Sequence, residues 1–352
     1  MPEVVLVAGR GPMAVRAIRS CHQAGSKVVA VYSEADANAL HVRSADESVL
    51  LGPPPLESSY LDTAALIEAA QVSGARAVLP VHAVLAGSPN LARASIAAGL
   101  LWLGADPEAA SAVQEAGWGI DRAVPGQSPG WVIGVSDGFR IDGLVVRRTR
   151  AAGPALCWTS AEERVGLAIE GLPSSAELLA SLSDVVVGMG WRGLVSVAFG
   201  PDGAPLAIRG GVPAELGLVE LRAGRDLLLA AIALAEGGTP PAGVPGFPAA
   251  VGGALRATAV PGEGQRTAIT ELTGPAGGDV RWEPGFAVGD FLPPWYDPVL
   301  AVLGVPAGDL SGAVAGFLDT VSDIVIGPVP NDLEQLRDRA RDVSARLTPV
   351  AP

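Results

Sequence analysis

The chain has 352 residues, of which 49% are hydrophobic and 17% charged, a composition that excludes a disordered protein and predicts two or three globular domains. Its formal net charge of −13 argues against a nucleic-acid partner, because phosphate binding depends on clustered lysines and arginines. Its apolar stretches, such as residues 227–235, fall short of the about 20 residues that span a membrane, and the N-terminus shows no secretion signal, so we expect a cytoplasmic location and no membrane partner.

The first segment, VVLVAGRGPMAVRAIRSC at residues 4–21, predicts an apolar strand, a glycine turn and a helix. Such a turn is typical of phosphate binding at a helix N-terminus. A second predicted strand, residues 27–32, is followed by Glu34 and Asp36, about where dinucleotide-binding units place a ribose-binding carboxylate. The same turn also occurs where glycines only pack a strand against a helix, so the residues alone leave both interpretations open.

The single lysine and the two cysteines limit which catalytic and metal sites the chain can form. Lys27 is the only lysine, and it lies at the mouth of a predicted buried strand, a position unsuited to catalysis. Arginine does not replace lysine where a compact ammonium group is needed. Cys21 and Cys157 lie far apart in hydrophobic segments, which predicts buried free thiols rather than a disulfide or a metal site.

Strands and helices alternate over residues 1–107, which predicts a doubly wound parallel sheet. The predicted strands are residues 4–9, 28–33, 75–81 and 100–104, and the predicted helices are residues 13–24, 61–73 and 91–99. We therefore assign residues 1–107 to an N-terminal α/β domain.

The rest of the chain predicts two further regions. Residues 108–249 contain predicted antiparallel strands at 130–135 and 142–149, a helix at 175–189, and a hairpin at 193–210 that turns at Pro201, Asp202 and Gly203. A proline-rich break at 237–248 precedes residues 250–352, where short strands are followed by helices at 310–325 and 331–347. That order predicts an α+β layout.

Three stretches carry a family resemblance. AGRGPMAVRAIRSC is similar to ANRGEIAVRIIRAC, residues 31–80 match the segment that follows it, and GGDVRWEPGFAVGDFLPPWYDPVLAVL is similar to GGPGVRVDSG…VPPYYDPLLAKL. These are motifs of the biotin carboxylases, the ATP-grasp subunit of acetyl-CoA, propionyl-CoA and pyruvate carboxylases. The resemblance covers most of residues 3–107 and 250–330. It implies a biotin carboxylase N-terminal domain, an ATP-grasp middle region and a biotin carboxylase C-terminal domain, and it implies that the opening glycines serve packing and hold no dinucleotide.

Members of that family use MgATP and bicarbonate to carboxylate biotin. A lysine in an MGDK stretch contacts the nucleotide phosphates, and the aligned VQEA here ends at Ala116. A lid domain with a glycine-rich loop and a second lysine covers the nucleotide. This chain is shorter in that region and has no run of glycines between Pro125 and Val186. The resemblance therefore implies a truncated ATP-grasp without its lid.

The family holds magnesium with a glutamate on each arm of a hairpin. Ser196 takes the place of the first glutamate, Arg209 of the second, and Gly211 of a nearby asparagine. Because Mg²⁺ prefers carboxylate and amide oxygens, an arginine there repels the ion. Glu215 and Glu220 remain nearby with a different spacing, and they are the alternative metal ligands.

The family's bicarbonate pocket is altered in the same way. Val165, Gly166 and Leu167 align with its histidine-glutamine-lysine run, Gly217 with its base and Pro213 with its hairpin arginine. Arg281 matches the arginine that holds bicarbonate and carboxybiotin, and it is either a vestige of that site or a structural ion pair. We therefore predict no catalytic residue and no metal, ATP or biotin site.

The resemblance implies a catalytically inactive subunit of an acyl-CoA-carboxylase-type assembly. The candidate interface residues are Arg16 and Arg19 on the first helix and Trp295 and Tyr296 in the C-terminal motif. The same residues also fit ordinary core packing, so the sequence leaves both interpretations open. The expected partners are an active biotin carboxylase, a carboxyltransferase subunit, a biotin carrier protein, or a second copy in a homodimer.

Two other functions stay open. One is an active carboxylase or other ATP-grasp ligase in which Arg147, Arg148 and Arg209 replace the phosphate-binding lysines. The other is a small-molecule sensor that uses the altered cleft between Leu167 and Arg281.

Overall fold

A five-stranded parallel sheet forms the centre of the N-terminal domain, in the order β3-β2-β1-β4-β5. This is a computed structural model, and it describes residues 2–119, 128–149, 153–162, 172–262 and 265–347. The strands are β1 Val4–Ala8, β2 Lys27–Ser33, β3 Glu47–Gly52, β4 Ala77–Pro80 and β5 Leu101–Trp102. The helices are α1 Gly11–Gln23, α2 Leu40–Ser44, α3 Thr63–Val72, α4 Ala83–Ala86, α5 Pro89–Ala97 and α6 Pro107–Glu115.

The predicted α/β alternation is confirmed in this domain. Strands β1 and β4 read as continuous apolar runs because helices cover both faces of a parallel sheet. The edge strand β3 was not predicted, since its residues are half-buried or exposed and show no apolar pattern. Cys21 and Cys157 are buried free thiols, as predicted.

A second sheet of eight strands runs through the rest of the chain, in the order β10-β9-β6-β7-β8-β11-β16-β14. Its strands are β6 Gly130–Ser136, β7 Ile141–Arg148, β8 Cys157–Ser160, β9 Gly193–Phe199, β10 Pro205–Arg209, β11 Ala249–Arg256, β14 Arg281–Pro284 and β16 Val299–Ala307. The predicted hairpin is confirmed as β9–β10. The boundary expected after residue 249 falls inside β11, which pairs with β8 on one side and β16 on the other.

Five helices and two small sheets complete the described structure. The helices are α7 Ser175–Gly188, α8 Leu216–Ala223, α9 Leu227–Ala235, α10 Leu310–Ser322 and α11 Leu333–Leu347. The small sheets pair β12 Thr267–Ala268 with β15 Phe291–Leu292, and β13 Glu271–Thr273 with β17 Val325–Gly327. Over the residues that the structure describes, every helix is too short or too polar to cross a membrane.

The N-terminal domain packs on the large sheet through α1. This helix contacts β14, β16 and α9 as well as its own strands β1 and β2. One continuous apolar core therefore includes Ile18 of α1, Ile133 of β6 and Leu218 of α8. The polar side of this contact contains three arginines singled out from the sequence, Arg16, Arg19 and Arg281.

Candidate functional site

The β9–β10 hairpin places Ser196 directly opposite Arg209. Side chains at such opposed positions lie about 5 Å apart at Cβ and share one site on the sheet. Ser196 is 5% exposed, and Arg209, the last residue of β10, is half-buried. The two arms of the hairpin thus bring together the two residues that the sequence predicted to share a site.

Arg209 contributes a positive charge to this face of the hairpin. Its guanidinium carbon lies 5.0 Å from the centroid of a Trp131 ring, a cation–π contact with β6. Its Nε–H is buried and finds no hydrogen-bond acceptor among the described residues. Burial lowers the pKa of Arg209, while the nearby Glu215 opposes that change. An arginine remains charged near neutral pH even so.

The pair does not fit the magnesium ion that the resemblance implies. Mg²⁺ requires a near-octahedral set of oxygen ligands, among them one or two carboxylates. The hairpin offers a single hydroxyl oxygen from Ser196 and, opposite it, a guanidinium that has only donors. A divalent cation at this position is repelled by the Arg209 guanidinium and finds one oxygen ligand on the hairpin, the Ser196 hydroxyl.

The segment after the hairpin serves packing. Gly211 has a φ of +83°, and a Cβ there would lie 2.5 Å from the carbonyl oxygen of Val81 at the end of β4. The next amide, of Val212, donates to that same oxygen at 2.7 Å. The carbonyl of Pro213 accepts a bond from the Leu216 amide at the start of α8. Position 211 therefore has a structural reason to be glycine, and the Pro213 carbonyl joins the segment after the hairpin to the start of α8.

The glycine turn that follows β1 also contacts Val81, the residue that follows β4. A Cβ on Gly9 would lie 2.6 Å from the Cβ of Val81, so only glycine allows this approach. The carboxylate of Asp36 is buried, accepts two hydrogen bonds from the Arg10 guanidinium at 2.8 and 3.1 Å, and accepts a third from the Tyr60 hydroxyl. These contacts occupy Asp36 inside the domain, which contradicts the ribose-binding interpretation and agrees with the packing one.

A further position singled out from the sequence lies at the end of a helix. Ala116 caps the end of α6, where it is exposed. Leu167, with Val165 and Gly166, lies outside the described residues. The expected changes at those three positions stay predictions.

Arg16 is buried in a network of charged side chains. Its Nη2 donates to both carboxylate oxygens of Glu220, at 2.9 and 2.8 Å, and to Asp226 at 2.8 Å. Its Nε lies 3.5 Å from Glu283. Because the residue is only 3% exposed, the expectation that Arg16 contacts another subunit is wrong: its charge is used within the chain.

Arg281 belongs to the same network. Its Nη1 lies 3.4 Å from Glu220 and 3.7 Å from Glu283. A Cβ on Gly217 would lie 3.3 Å from the Cγ of Arg281, so these two predicted site residues are neighbours. The contacts favour the interpretation of Arg281 as a structural ion pair.

The network contains three arginines and three carboxylates. Arg19, whose side chain is 42% exposed, is the third arginine and pairs with Glu283. Burial raises the pKa of Glu220, with Arg16 opposing it. The pKa of Asp226 lies below its usual value, because Arg16, the Leu229 amide and the Ser20 hydroxyl together outweigh the effect of burial. The charges balance and join α1, α8, α9 and β14.

Trp295 and Tyr296 have different surroundings. Tyr296 is 8% exposed, its hydroxyl donates to the Pro54 carbonyl at 2.6 Å, and it accepts from Ser33. The ring of Tyr296 lies 4.2 Å from the Arg10 guanidinium carbon and meets Tyr60 edge to face. The expectation that Tyr296 is an interface residue is therefore wrong, whereas Trp295 is 42% exposed and remains available.

A cavity of about 620 Å³ was not predicted from the sequence. It lies between β7, β8, β11 and the starts of α8 and α11, and charged groups from four of these elements line it: Arg148, Glu215, Arg256 and Asp332. The Cys157 thiol lies 3.9 Å from a Glu215 oxygen, and burial, with that carboxylate, raises the pKa of Cys157. The thiol stays protonated and is not a nucleophile. No sequence motif links residues so far apart in the chain.

Comparisons with known proteins identify relatives of the N-terminal domain. Residues 1–110 match the family model described as "Biotin carboxylase, N-terminal domain". The alpha subunit of mitochondrial methylcrotonoyl-CoA carboxylase from Oryza sativa subsp. japonica is 48% identical over 107 residues, which are 30% of this chain and 14% of that protein. The biotin carboxylase of Halalkalibacterium halodurans is 43% identical over 104 residues, 30% of this chain and 23% of that protein. The matched segment thus spans less than a quarter of either relative.

The fold likeness extends beyond that segment. The biotin carboxylase domain of a single-chain bacterial carboxylase superposes with a TM-score of 0.78 at 23% identity, over 97% of this chain and 94% of that one. The predicted resemblance and α/β fold class are confirmed: the N-terminal domain is that of the biotin carboxylases, and the described chain has the fold of a biotin carboxylase domain.

Proposed function

We propose that this chain is a biotin-carboxylase-like protein that does not carboxylate biotin and acts as a structural or regulatory subunit of an acyl-CoA-carboxylase-type assembly. The observation that carries the proposal is the pairing of Arg209 with Ser196 on the β9–β10 hairpin.

The physical reason is charge. Phosphoryl transfer depends on metal ions that bridge the nucleotide phosphates and neutralise the developing charge. A guanidinium at the metal position repels a divalent cation, and this one is held in place by Trp131 and the hairpin backbone. The exposed Ala116 at the end of α6, in place of a phosphate-binding lysine, supports the same conclusion. The missing lid remains part of the proposal and rests on the sequence alone.

The proposed assembly role is supported by a relative that is named as a carboxylase subunit and by an exposed aromatic side chain on this chain. The similar rice protein is named as a subunit of a carboxylase, and the N-terminal domain shared with it is intact here, with its buried core and its network around Arg16. Trp295 offers an exposed aromatic side chain next to the buried Tyr296, which suits an interface anchor. The proposed partners are an active biotin carboxylase, a carboxyltransferase subunit, a biotin carrier protein, or a second copy of this chain.

Two measurements test the proposal. We expect no bicarbonate-dependent ATP hydrolysis with MgATP and free biotin, in an assay where an active biotin carboxylase serves as the positive control. EDTA-sensitive turnover above the buffer blank overturns the claim of inactivity. Light scattering tests the assembly role, and a stable monomer, both alone and with the neighbouring carboxylase subunits, contradicts it.

The sequence placed a small-molecule sensor, the second candidate function, in the cleft between Leu167 and Arg281, and Leu167 lies outside the described residues. The same function is favoured at another place, by the cavity beside Cys157 and Glu215. It is closed on several sides by β7, β8 and β11, and the Nε–H of Arg148 is buried there without a hydrogen-bond acceptor among the described residues. Mass spectrometry of the native protein checks this function. A copurified ligand that is lost in Arg148→Gln supports it, and a ligand-free mass contradicts it.

A further inference from the structure

A second large cavity lies beside β10, the edge strand of the large sheet, between that strand and the helices α4, α5 and α6. Its volume is about 600 Å³, within the range of pockets that hold small organic ligands. We call it the hairpin cavity. Arg209 lines it, together with Ser88, Asn90, Arg93, Ser111 and Trp191.

The hairpin cavity is positively charged. None of the described residues that line it is an aspartate or a glutamate, in a chain whose formal net charge is −13. Arg93 is neutralised by Glu108, which accepts its Nη2–H at 3.0 Å, and Ser111 accepts a further bond at 3.1 Å. Arg209 forms no ion pair with a described residue, although the nearby Glu215 acts on its pKa, and its buried Nε–H has no acceptor among those residues. Its guanidinium charge is thus only partly compensated within the chain.

The walls differ in polarity. The side chains of Ser88, Asn90 and Ser111 lie on the helical side, and the fully buried Trp191 and Ile208 lie on the sheet side. A ligand that fits both walls has an anionic group for Arg209, hydrogen-bonding groups for the helical side, and an apolar part. Guanidinium groups bind carboxylates and phosphates through paired, charge-assisted hydrogen bonds.

We propose that the hairpin cavity binds a small organic anion, a carboxylate or a phosphate ester, through Arg209 and without a metal ion. The hairpin position that the family resemblance assigns to a cation then holds an anion directly. This site lies outside the proposed subunit role and would give such a subunit a ligand to respond to.

Inorganic phosphate and malonate are the probes, each measured by isothermal titration calorimetry and by thermal shift in the presence of EDTA. Sodium chloride at matched ionic strength corrects for screening. We expect at least one probe to bind and to stabilise the unaltered chain, and which of them binds distinguishes a phosphate from a carboxylate ligand. No binding of either probe, or binding that requires Mg²⁺, overturns the proposal.

Variants assign the binding to the cavity. Arg209→Gln is expected to weaken the probe at least tenfold, while Arg76→Gln, which removes an exposed arginine outside the cavity, leaves the affinity within twofold. Asn90→Asp is the second variant, since it adds a carboxylate at an exposed cavity position without disturbing the core, and it is expected to weaken binding as well. Unchanged affinity in both Arg209→Gln and Asn90→Asp contradicts the proposed anion site and does not bear on the inactive-subunit function. ATP turnover contradicts the inactive-subunit function alone.

Discussion

Arg16 and Glu220 are 204 residues apart in the sequence and are joined by two hydrogen bonds, of 2.9 and 2.8 Å, in the interior of the protein. The pair links α1 of the N-terminal domain to α8, which packs on the large sheet. Because both side chains are almost fully buried, each charge is stabilised mainly by its partner and hardly by water.

Removal of one partner from this pair is expected to destabilise the fold strongly. Arg16→Met leaves Glu220 and Asp226 buried without their main cation, so we expect the free energy of unfolding to fall by about 3–5 kcal/mol. Urea denaturation followed by circular dichroism measures the change.

The matched control for that prediction is an exposed pair. Arg341 lies 2.9 Å from Asp338 on α11, and both side chains are more than half exposed, 60% and 69%. Arg341→Met should therefore cost no more than about 0.5 kcal/mol. Equal losses in the two variants would show that the Arg16 network does not stabilise the fold.

His41 on α2 is expected to make the stability depend on pH. It is 1% exposed, its Nε2 lies 3.2 Å from the Val31 carbonyl, and its Nδ1 has no partner among the described residues. Burial lowers the pKa of His41 to about 4, against an ordinary value of 6.5. Between these values the unfolded chain binds more protons, so the free energy of unfolding falls as the pH decreases from about 6.5 to about 4, by roughly 3 kcal/mol.

Two measurements check the role of His41. The imidazole followed by NMR should titrate with a midpoint near pH 4, and a midpoint near pH 6.5 would contradict the prediction. In His41→Gln, which cannot titrate, the loss of stability across the same pH range should be smaller by roughly 3 kcal/mol.

The hairpin should accept a metal once its charge is reversed. Ser196→Glu with Arg209→Glu places two carboxylates at opposed positions of β9 and β10, and we expect this double variant to bind Mg²⁺ at pH 8. Calorimetric titration with MgCl₂ measures the binding. We expect no ATP hydrolysis from the variant, because the lid is expected to be missing.

The neutral double variant, Ser196→Gln with Arg209→Gln, is the control for size and for loss of the arginine. It should bind Mg²⁺ much more weakly than the double glutamate variant, as should the unaltered chain. Similar heats for the two double variants would mean that the hairpin carboxylates are not the ligands.

Trp295 is the residue expected to report on assembly. If the chain pairs with itself or with a carboxylase subunit through the C-terminal motif, Trp295→Ser should shift the complex toward free subunits with little effect on the unfolding temperature. Light scattering after size-exclusion chromatography measures the shift. Arg19→Glu is a poorer test, because it places a carboxylate beside the buried Glu283 and should destabilise the fold as well.

Phe139→Ser provides the comparison for Trp295. Phe139 is 83% exposed, precedes β7 by two residues and is not part of the C-terminal motif. This variant removes a similar apolar side chain and should leave the oligomeric state unchanged. A shift of equal size in both variants would indicate non-specific association.

Local patterns predicted much of the fold and part of the site. The apolar strands, the glycine turn and the β9–β10 turn each depend on residues close in sequence. The shared site of Ser196 and Arg209 was implied by the family resemblance, since the register of β9 and β10 contains an irregularity between Pro205 and Ala207 that the sequence did not predict. The partners of Arg16 and the Cys157–Glu215 contact depend on how distant segments pack, and nothing local encodes them. The sequence could not decide between an interface and a core position for Tyr296 for the same reason, because aromatic residues are common in both, and the structure shows a buried position.

The continuous eight-stranded sheet limits where the chain can be divided into fragments that fold. A cut after residue 249 would separate β8 from β11 and leave each fragment with an open edge of unpaired amides and carbonyls beside apolar side chains such as Trp158 and Val251. Open edges of this kind recruit other strands and promote aggregation. Residues 108–249 and 250–352 should therefore fail as separately expressed fragments yet complement each other when coexpressed, whereas the chain divided near residue 107 leaves every sheet whole.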